Sequence, residues 1–596
     1  MVISFDIFDT CLIRKCGDPH LVFWMIGRKI FGSNTTLADM YYFWRCEAEQ
    51  KAKSLSGKET VSLRDILKCA PEWLKQYEDT LYDEELCMEK DMLGPVVNTA
   101  KKIQECRESG YNIIFISDMY LPSSFLAGIL GEFGMFMPGD KILVSCEYGK
   151  TKQKGDLFRL AQGEVNDIIK NHYGDNLLSD YRMSRKNGIK PIHVNTGYNE
   201  VEKHFMCSFD CSKFAREIRC LVGLFRYARL TSTNPSECGI AADFVAPIWI
   251  SYCYDILSKA RDEGMERLYF LARDGYILKW TSEILHPLFP TVDIRYLYVS
   301  RKSMFLPSIT RWDRTELKQY WGGSFKYVSD ALLEKYFKVK MAESKLQIEN
   351  DAIEARKRID SYFEQEGVYD DNTEYALVDV GWKGSGRVAF NKLQQLHGCK
   401  PREMWYWGTF ANYRNSYDGI FYTYNPNMPL PLYFISLIED VFSTSPEMST
   451  IDYALKDGRW NPVFDEASVI DNSSVLEYNK HCIATVSSFI IKYNLTDRYL
   501  LNLISDMATK VLLHSPDLLD LSTLVKINSF SENSDSGVGK GIVKKATLHG
   551  TFTYVLGKNW SGGWCEGDLA YTYGSFSKHI IKIHNFNRKL INKILR

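Results

Sequence analysis

The sequence lacks long apolar runs, a signal peptide and a cysteine framework, and each absence excludes a class of protein. No stretch of the 596 residues approaches the ~20 consecutive apolar residues of a membrane-spanning helix. The fifteen cysteines are scattered, and no second pair near Cys207 and Cys211 completes a tetrahedral zinc site. Together with the missing signal peptide, this predicts reduced thiols and a cytoplasmic location.

The sequence also lacks an excess of charge of either sign. A net charge of −1 gives no general support for nucleic-acid binding. Hydrophobic residues at 45% and charged residues at 25% are ordinary for a soluble globular chain. Because 596 residues exceed what one compact core holds, we expect roughly three or four domains.

The chain begins with an apolar stretch that ends abruptly in polar side chains. Residues 2–5 (VISF) predict a short buried strand, and Asp6, Asp9 and Thr10 follow it closely. Open α/β sheets bind their ligands at the carboxyl ends of the strands. Asp6 is therefore a candidate site residue, and an acidic strand end that merely caps a turn is the alternative.

Three later segments strengthen the first interpretation. The predicted strand at residues 111–116 (YNIIFI) ends at Ser117, and Lys154 precedes a predicted helix. Asp175 and Asp180 then lie close together before the strand-like residues 191–194. An acid, a hydroxyl, a lysine and an acid pair can converge on one pocket. For Lys154 the alternative is an ordinary surface lysine, since two other lysines, at positions 150 and 152, lie nearby.

In the order of these four clusters the chain resembles the haloacid dehalogenase-like (HAD) superfamily of hydrolases. The resemblance covers about the first third of the chain. It implies that Asp6 attacks phosphorus and forms an aspartyl-phosphate. It further implies a Mg²⁺ ion held by Asp6, Asp175 and the Phe8 carbonyl, the oxygen ligands that this hard cation prefers.

The same resemblance assigns roles to the remaining polar residues. Ser117 would donate a hydrogen bond to a phosphate oxygen, and Lys154 would neutralise the charge that develops during transfer. Asp180 would orient the lysine or a metal-bound water. The catalytic set that the sequence predicts is therefore Asp6, Ser117, Lys154 and Asp180.

One position departs from the pattern of the HAD phosphatases. These enzymes usually carry a second aspartate two residues after the nucleophile, as general acid and base, and here that position is Phe8. In an extended strand Asp6 and Phe8 share a face while Asp9 points away, so Asp9 is no automatic substitute unless the chain turns tightly. Loss of a general acid typically lowers the rate by ~10²–10⁴-fold.

The alternation of strands and helices predicts an α/β fold with parallel sheets. We expect a Rossmann-like HAD core at residues 1–13 and 102–204, with a helical cap at residues 14–101. The cap is interpreted as a lid over the pocket, and an interaction surface is the alternative. A second α/β domain is predicted at residues 205–450, and a mostly helical C-terminal region at residues 451–596.

Two strand ends in the second domain carry charge and glycine. The candidates for a second site are Arg273, Asp274, Asp379, Lys383 and Arg387. Glycines permit close backbone approach and the cations suit an anionic ligand, a layout that loosely resembles phosphoribosyltransferases. Ordinary structural turns are the alternative. Glu439, Asp440 and Trp382 are further candidates.

The last residues, 578–596, predict a basic amphipathic helix. Such a tail suits peripheral contact with an anionic membrane at its inner face. A terminal helix that docks on its own protein is the alternative.

A wider resemblance covers most of the chain. Residues 4–10, 117–122 and 270–275 resemble a set of large bacterial predicted hydrolases associated with glycosyltransferases and surface-polysaccharide biosynthesis. The sequence therefore predicts a Mg²⁺-dependent phosphohydrolase that acts on a sugar phosphate or nucleotide-linked sugar, with glycosyltransferases as partners and no nucleic acid. Two alternatives stay open: a glycosyl- or phosphoribosyl-type transferase in the second domain with the HAD domain accessory, and a non-catalytic HAD-fold assembly factor.

Overall fold

The fold is taken from a computed structural model of the chain. It describes residues 1–165, 167–209, 212–321, 330–337, 344–382, 384–409, 421–425, 437–466, 472–522, 524, 543–556 and 565–594. The chain divides into two compact units, Met1–Asp243 and Phe244–Arg596. The first unit thus continues past the boundary expected near residue 204.

The first unit contains a five-stranded parallel sheet and a small antiparallel pair. Its strands are β1 (Val2–Phe5), β2 (Leu12–Arg14), β3 (Leu93–Pro95), β4 (Asn112–Ser117), β5 (Lys141–Val144), β6 (Ile169–Gly174) and β7 (Lys190–His193). The large sheet has the order β5-β4-β1-β6-β7, and β2 pairs with β3. All residues of β1 are buried, and β4 and β6 pair with its two edges. The predicted α/β fold with parallel strands is confirmed for this unit.

Twelve helices accompany these strands within the described part of the first unit. They are α1 (Pro19–Phe31), α2 (Thr35–Ser56), α3 (Leu63–Leu67), α4 (Glu72–Lys75), α5 (Glu78–Met92), α6 (Val97–Glu108), α7 (Ser123–Glu132), α8 (Ser145–Tyr148), α9 (Asp156–Glu164), α10 (Met183–Lys186), α11 (Glu200–Ser208) and α12 (Ala215–Leu230). Wide helical turns occupy Leu177–Arg182 and Ala241–Val245.

A helical insertion, α1 to α5, lies between β2 and β3. It corresponds to most of the predicted segment 14–101, and its function as a lid stays a prediction. Two buried ion pairs fix it. Arg14 donates to Glu89 at 2.9 and 3.0 Å, and Arg45 donates to Glu85 at 2.9 and 2.5 Å. The Arg45 guanidinium also lies 4.9 Å from the ring of Tyr120, which follows β4, so the insertion is joined to the sheet.

The second unit is built on another five-stranded parallel sheet. Its strands are β8 (Arg267–Leu271), β9 (Asp293–Leu297), β10 (Tyr375–Asp379), β11 (Glu403–Gly408), β12 (Phe421–Asn425), β13 (Thr450–Lys456) and β14 (Arg459–Phe464). The sheet order is β12-β11-β10-β8-β9. The chain order therefore reverses between β8 and β10, and their carboxyl ends flank the crevice in which such sheets bind ligands.

The helices of the second unit surround this sheet and continue beyond it. They are α13 (Ala246–Glu263), α14 (Gly275–Leu285), α15 (Arg301–Met304), α16 (Arg314–Trp321), α17 (Asp330–Phe337), α18 (Lys345–Glu366), α19 (Ser385–Leu396), α20 (Ser473–Lys492), α21 (Arg498–His514), α22 (Leu548–Val555), α23 (Cys565–Tyr573) and α24 (Ser577–Ile594). Shorter helical segments are His286–Leu288, Leu437–Phe442, Pro516–Leu518 and Gly574–Phe576. Among the described residues no helix has the length and apolar character to cross a membrane.

One hairpin was not expected from the sequence. β13 and β14 pair in antiparallel fashion across Asp457 and Gly458, both with positive φ (52° and 76°). Two successive residues with positive φ form the tight turn that matches the twist of a hairpin. The predicted start of a mostly helical region at residue 451 therefore falls inside a strand. The loop predicted at residues 529–541 lies outside the described residues.

We predict that Glu85→Gln destabilises the insertion, because it leaves the buried Arg45 guanidinium without its counter-charge. Breaking a buried ion pair typically lowers the free energy of unfolding by about 3–5 kcal/mol. Hydrogen exchange followed by mass spectrometry should show faster exchange in peptides from α2 and α5. Glu72→Gln is the matched control, since Glu72 pairs with Lys75 at an exposed position. Equal effects of the two substitutions would contradict the assignment.

Candidate active site

The end of β1 delivers Asp6 to the centre of the sheet edge. The Asp6 amide donates to the Tyr173 carbonyl of β6 at 2.8 Å, which continues the strand pairing by one residue. The chain then turns back on itself, because the amides of Cys11 and Leu12 both donate to the Ile7 carbonyl, at 2.9 and 2.8 Å. Asp6 is buried. A carboxylate thus lies at the carboxyl end of the central strand, where the sequence predicted it.

Three carboxylates meet at this point. Asp6, Asp175 and Asp180 each offer an oxygen, and these oxygens all lie within 4.8 Å of one another. Asp175 follows the last residue of β6, and Asp180 approaches from the wide turn behind it. Gly174 makes this approach possible, because a Cβ at that residue would lie 2.4 Å from the Asp180 Cβ. The predicted convergence of Asp6 with Asp175 and Asp180 is present in the structure.

A buried lysine neutralises part of this charge, and it is Lys152. Its Nζ donates to Asp6 Oδ1 at 2.5 Å and lies 2.6 Å from Asp180 Oδ1. Burial alone would lower the pKa of Lys152, but the charges of Asp6 and Asp180 outweigh burial and raise it above its ordinary value. Lys152 is therefore an ammonium ion that bridges two carboxylates.

The three carboxyl groups respond differently to the shared environment. Burial raises the pKa of Asp6 well above its ordinary value, against the opposing effect of Lys152. Burial, together with the charges of Asp9 and Asp180, raises the pKa of Asp175 to about 6. Burial acts in the same direction on Asp180, but Lys152 and a hydrogen bond from His172 prevail and hold its pKa below the ordinary value.

The donor set fits a small divalent cation. Carboxylate oxygens that converge within a few ångströms are the ligands that Mg²⁺ takes in proteins. One ammonium does not compensate three carboxylates, and the raised pKa values of Asp6 and Asp175 show that more positive charge would be stabilising. Asp6 and Asp175 are therefore the residues that would hold the ion. The contribution of the Phe8 carbonyl stays a prediction.

Lys154, the lysine predicted from the sequence, does not reach the cluster. Its side chain is exposed, and its Nζ contacts Glu59. Residues 152–155 form a turn before α9, closed by the Gly155 amide on the Lys152 carbonyl at 2.8 Å, and within it Lys152 is the lysine that faces the carboxylates. Asp118 fixes that turn by accepting hydrogen bonds from the amides of Lys152, at 2.8 and 3.0 Å, and Gln153, at 3.3 Å. The sequence prediction named the wrong member of a pair of nearby lysines.

Asp118 and Ser145 are site residues that the sequence analysis did not assign. Asp118 directly follows β4 and positions the Lys152 backbone. Ser145 Oγ accepts from the Met119 amide at 3.0 Å and so holds the loop after β4. Ser117, the predicted phosphate-binding hydroxyl, is buried at the end of β4, the strand next to β1. Its role stays a prediction.

A buried histidine, His172, forms a hydrogen bond with Asp180. His172 Nε2 lies 3.3 Å from Asp180 Oδ1, and Nδ1 lies 2.9 Å from Ser4 Oγ. Burial lowers the pKa of His172, so the neutral ring donates from Nε2 to the carboxylate and accepts from the serine. His172 lies three residues before Asp175, but nothing in the sequence indicated its contact with Ser4.

The chain turns tightly at Asp9, and an arginine of α12 binds the Asp9 carboxylate. Its backbone has a positive φ of 53°, and its Oδ1 accepts from Arg226 Nη2 at 2.5 Å. Thr196 Oγ1 donates to the Asp9 carbonyl, and Arg226 Nε donates to the Thr196 carbonyl at 2.7 Å. The carboxylate is thus held by α12. Phe8 lies with the Arg14 guanidinium 4.4 Å from its ring.

Some of the second-site candidates line one cleft in the structure and others do not. A cleft opens at the end of β8. Its lining is Arg273, Asp274, Glu439, Asp440, Ser443, Thr444, Ser445, Pro446, Glu447, Met448 and Asn472. Asp379 lies close enough to Glu439 for the two charges to interact. Arg387 is buried in α19 and is not part of this lining, and Lys383 lies outside the described residues.

The charge of this cleft corrects the expected ligand type. Four carboxylates and one guanidinium line it, so the described residues do not form the cradle for an anion that the sequence predicted. Arg273 Nη1 donates to Ser449 Oγ at 2.9 Å, and Tyr296 donates to Glu447 at 2.7 Å. The candidates Glu439 and Trp382 are joined by an indole hydrogen bond of 2.8 Å.

Comparison with known proteins adds three structural likenesses. No protein-family profile and no curated protein sequence matches the chain. Two structures described as a dehalogenase, one with an intermediate complex, align over 33% of this chain and 86% of theirs, at 15% identity and a TM-score of 0.25. A HAD phosphatase from Thermococcus onnurineus aligns over 33% and 89%, at 17% identity and a TM-score of 0.23. Likenesses at this level carry no functional argument.

We predict that Lys152→Met destabilises the first unit, since it leaves Asp6 and Asp180 buried side by side without their ammonium. The expected loss is about 3–5 kcal/mol of unfolding free energy, as for other broken buried pairs. Hydrogen exchange in peptides from β1 and β6 measures it. Lys154→Met is the matched control and should change stability by less than ~0.5 kcal/mol. A larger effect of the control would show that the two lysines have been assigned the wrong way round.

We predict that Asp379→Asn changes how the stability of the second unit depends on pH. Burial raises the pKa of Asp379 to about 7, with Glu439 adding to the effect. The folded state therefore holds the proton more tightly than the unfolded state, and this stabilisation is lost as pH rises from about 4 through 7. An asparagine does not titrate. The thermal midpoint of the variant, relative to that of wild type, should therefore be higher at pH 8 than at pH 5.

The matched control for this comparison is Asp262→Asn, on α13, whose carboxylate is exposed beside Arg261. It should differ from wild type by the same amount at both pH values. A constant difference for Asp379→Asn as well would mean that its carboxyl group does not titrate in this range.

Proposed function

We propose that the chain is a metal-dependent phosphohydrolase of the HAD type, in which Asp6 receives the phosphoryl group. The observation that carries this proposal is the meeting of three carboxylates within 4.8 Å around the Lys152 ammonium, at the end of the central strand. Three acids with one base, buried at the carboxyl edge of a parallel sheet, suit a site that takes a cation and a phosphate.

The residues divide the chemistry of the proposed reaction between them. Asp6 attacks phosphorus, so that a bond forms from its carboxylate oxygen while the bond to the leaving oxygen breaks. Lys152 compensates the charge on the phosphoryl oxygens, and Asp180 holds the lysine in place. A bound Mg²⁺, held by Asp6 and Asp175, would shield the attacking carboxylate from the negative phosphate. Water then attacks the aspartyl-phosphate and releases inorganic phosphate.

The proposed substrate is a phosphorylated small molecule, and a sugar phosphate or other glycan precursor is the class that the wider sequence resemblance suggests. The site favours esters with good leaving groups. Phe8 occupies the usual acid position, and Arg226 holds the Asp9 carboxylate. A leaving oxygen that needs no proton is therefore expelled more readily, and the missing acid should slow poor leaving groups by about 10²–10⁴-fold.

We predict Mg²⁺-dependent phosphate release that depends on Asp6. The assay measures inorganic phosphate from acetyl phosphate, 4-nitrophenyl phosphate, glucose 1-phosphate and glucose 6-phosphate, with Mg²⁺ and with chelator. Wild type should hydrolyse the first two fastest, and Asp6→Asn should fall to background because the nucleophile is lost. Lys152→Met should lower kcat by about 10²–10³-fold in the fraction of protein that folds.

Asp167→Asn is the matched control for Asp6→Asn, because Asp167 is exposed and pairs with the terminal amine of Met1 at 2.7 Å. It should keep full activity. Activity that survives Asp6→Asn would move the chemistry to the second unit. No release from any of the four substrates by wild type would favour the non-catalytic alternative.

A further inference from the structure

The helices α22 and α24 are joined on one side and exposed on the other. His584 Nδ1 lies 2.6 Å from the Tyr554 carbonyl, and the two rings stack at 3.8 Å. Asn587 donates to the Val555 carbonyl at 2.6 Å, and Ile580 is buried in the same cluster. One face of α24 is therefore docked on its own unit. This agrees with the alternative stated from the sequence, a terminal helix that docks on its own protein.

The opposite faces of these helices carry large apolar side chains in contact with solvent. On α22 the exposed fractions are 85% for Leu548 and 63% for Phe552. On α24 they are 47% for Ile583 and 68% for Phe586, and Phe576, just before the helix, is 62% exposed. Scattered apolar side chains are normal on a surface, but such a concentration on two packed helices indicates an interaction surface.

The C-terminal sequence that carries these side chains is rich in cations. Residues 543–596 contain nine lysines and arginines and two acids, although the whole chain has a net charge of −1. Neither acid opposes the cations at the surface. Asp568 is buried and accepts from the Lys544 amide at 2.8 Å, and Glu566 accepts from the Tyr554 hydroxyl at 2.5 Å.

The cations flank the apolar side chains on the same helix. Lys578, Lys582 and Phe586 follow one another at four-residue intervals and are all exposed, so they form one row along α24. Ile583 lies beside that row. We name the exposed set on and just before α24, which is Phe576, Lys578, Lys582, Ile583 and Phe586, the basic–apolar surface.

We infer that the basic–apolar surface binds the face of an anionic lipid bilayer. A helix that lies in the plane of a membrane inserts its apolar side chains among the acyl chains while its lysines contact anionic headgroups. A nucleic acid would match the lysines but leave the exposed isoleucine and phenylalanines in water, so lipid is the better match for both properties.

The test is co-sedimentation of the full chain with vesicles. Vesicles of phosphatidylcholine with about 30% phosphatidylglycerol are compared with pure phosphatidylcholine, at low and high salt. We expect binding to the anionic vesicles that weakens at high salt, because screening reduces headgroup attraction. Binding to neutral vesicles should be at least about tenfold weaker, since each lysine near the surface contributes roughly a fivefold factor.

Two double variants separate the apolar and the electrostatic contributions. Ile583→Ser with Phe586→Ser should reduce binding at least about tenfold through lost apolar burial. Lys578→Glu with Lys582→Glu should reduce it at least about tenfold on anionic vesicles and leave neutral vesicles unchanged. Phe43→Ser with Lys51→Glu, at exposed positions of α2, is the matched control and should bind as wild type. All these positions are exposed, and circular dichroism confirms that each variant is folded.

Three results would overturn the inference. The first is absence of wild-type sedimentation with anionic vesicles. The second is equal binding by the two double variants and the control. The third is binding of a double-stranded oligonucleotide in place of vesicles, which would assign the surface to nucleic acid.

Discussion

The first unit depends on one buried ammonium between two carboxylates. Lys152 Nζ lies 2.5 Å from Asp6 and 2.6 Å from Asp180, and the neighbouring Asp175 adds a third acid. Burying carboxylates is costly unless positive charge and hydrogen bonds compensate them. Here the compensation is incomplete, because one cation faces three acids. This imbalance distinguishes the cluster from a purely structural ion pair and leaves capacity for a divalent cation.

Which residues of this cluster could be predicted from the sequence depended on their position relative to the strands. Strand ends could be predicted from apolar runs. The acids and the hydroxyl at or after these strand ends are Asp6, Ser117, Asp175 and Asp180. Lys152 lies in a turn, where the direction of a side chain depends on hydrogen bonds such as those from its amide to Asp118. Periodicity gives no information there, so the choice between two lysines two residues apart could not be made. The contacts of Asp9 with Arg226 span 217 positions and were equally hidden.

In the second unit, too, local features could be predicted from the sequence and long-range arrangements could not. The sequence predicted a second α/β domain, and β8, β9, β10 and β11 lie in its parallel sheet. Their order in the sheet was not predicted, since it is set by crossovers. The hairpin of β13 and β14 was missed although Asp457-Gly458 is a strong turn pair, because the flanking strands are rich in polar residues. The acidic character of the cleft follows from residues that converge from β8 and from residues 439–448.

Phe8, two residues after Asp6, couples the turn after β1 to the insertion. The Phe8 ring lies 4.4 Å from the guanidinium of Arg14, and Arg14 is held by Glu89 of the insertion helix α5. An aspartate at Phe8 would place a carboxylate in this contact and compete with Glu89 for the arginine. The aromatic ring avoids that competition and ties the turn after β1 to α5. A chain with this arrangement gains a rigid connection between the carboxylate cluster and the insertion.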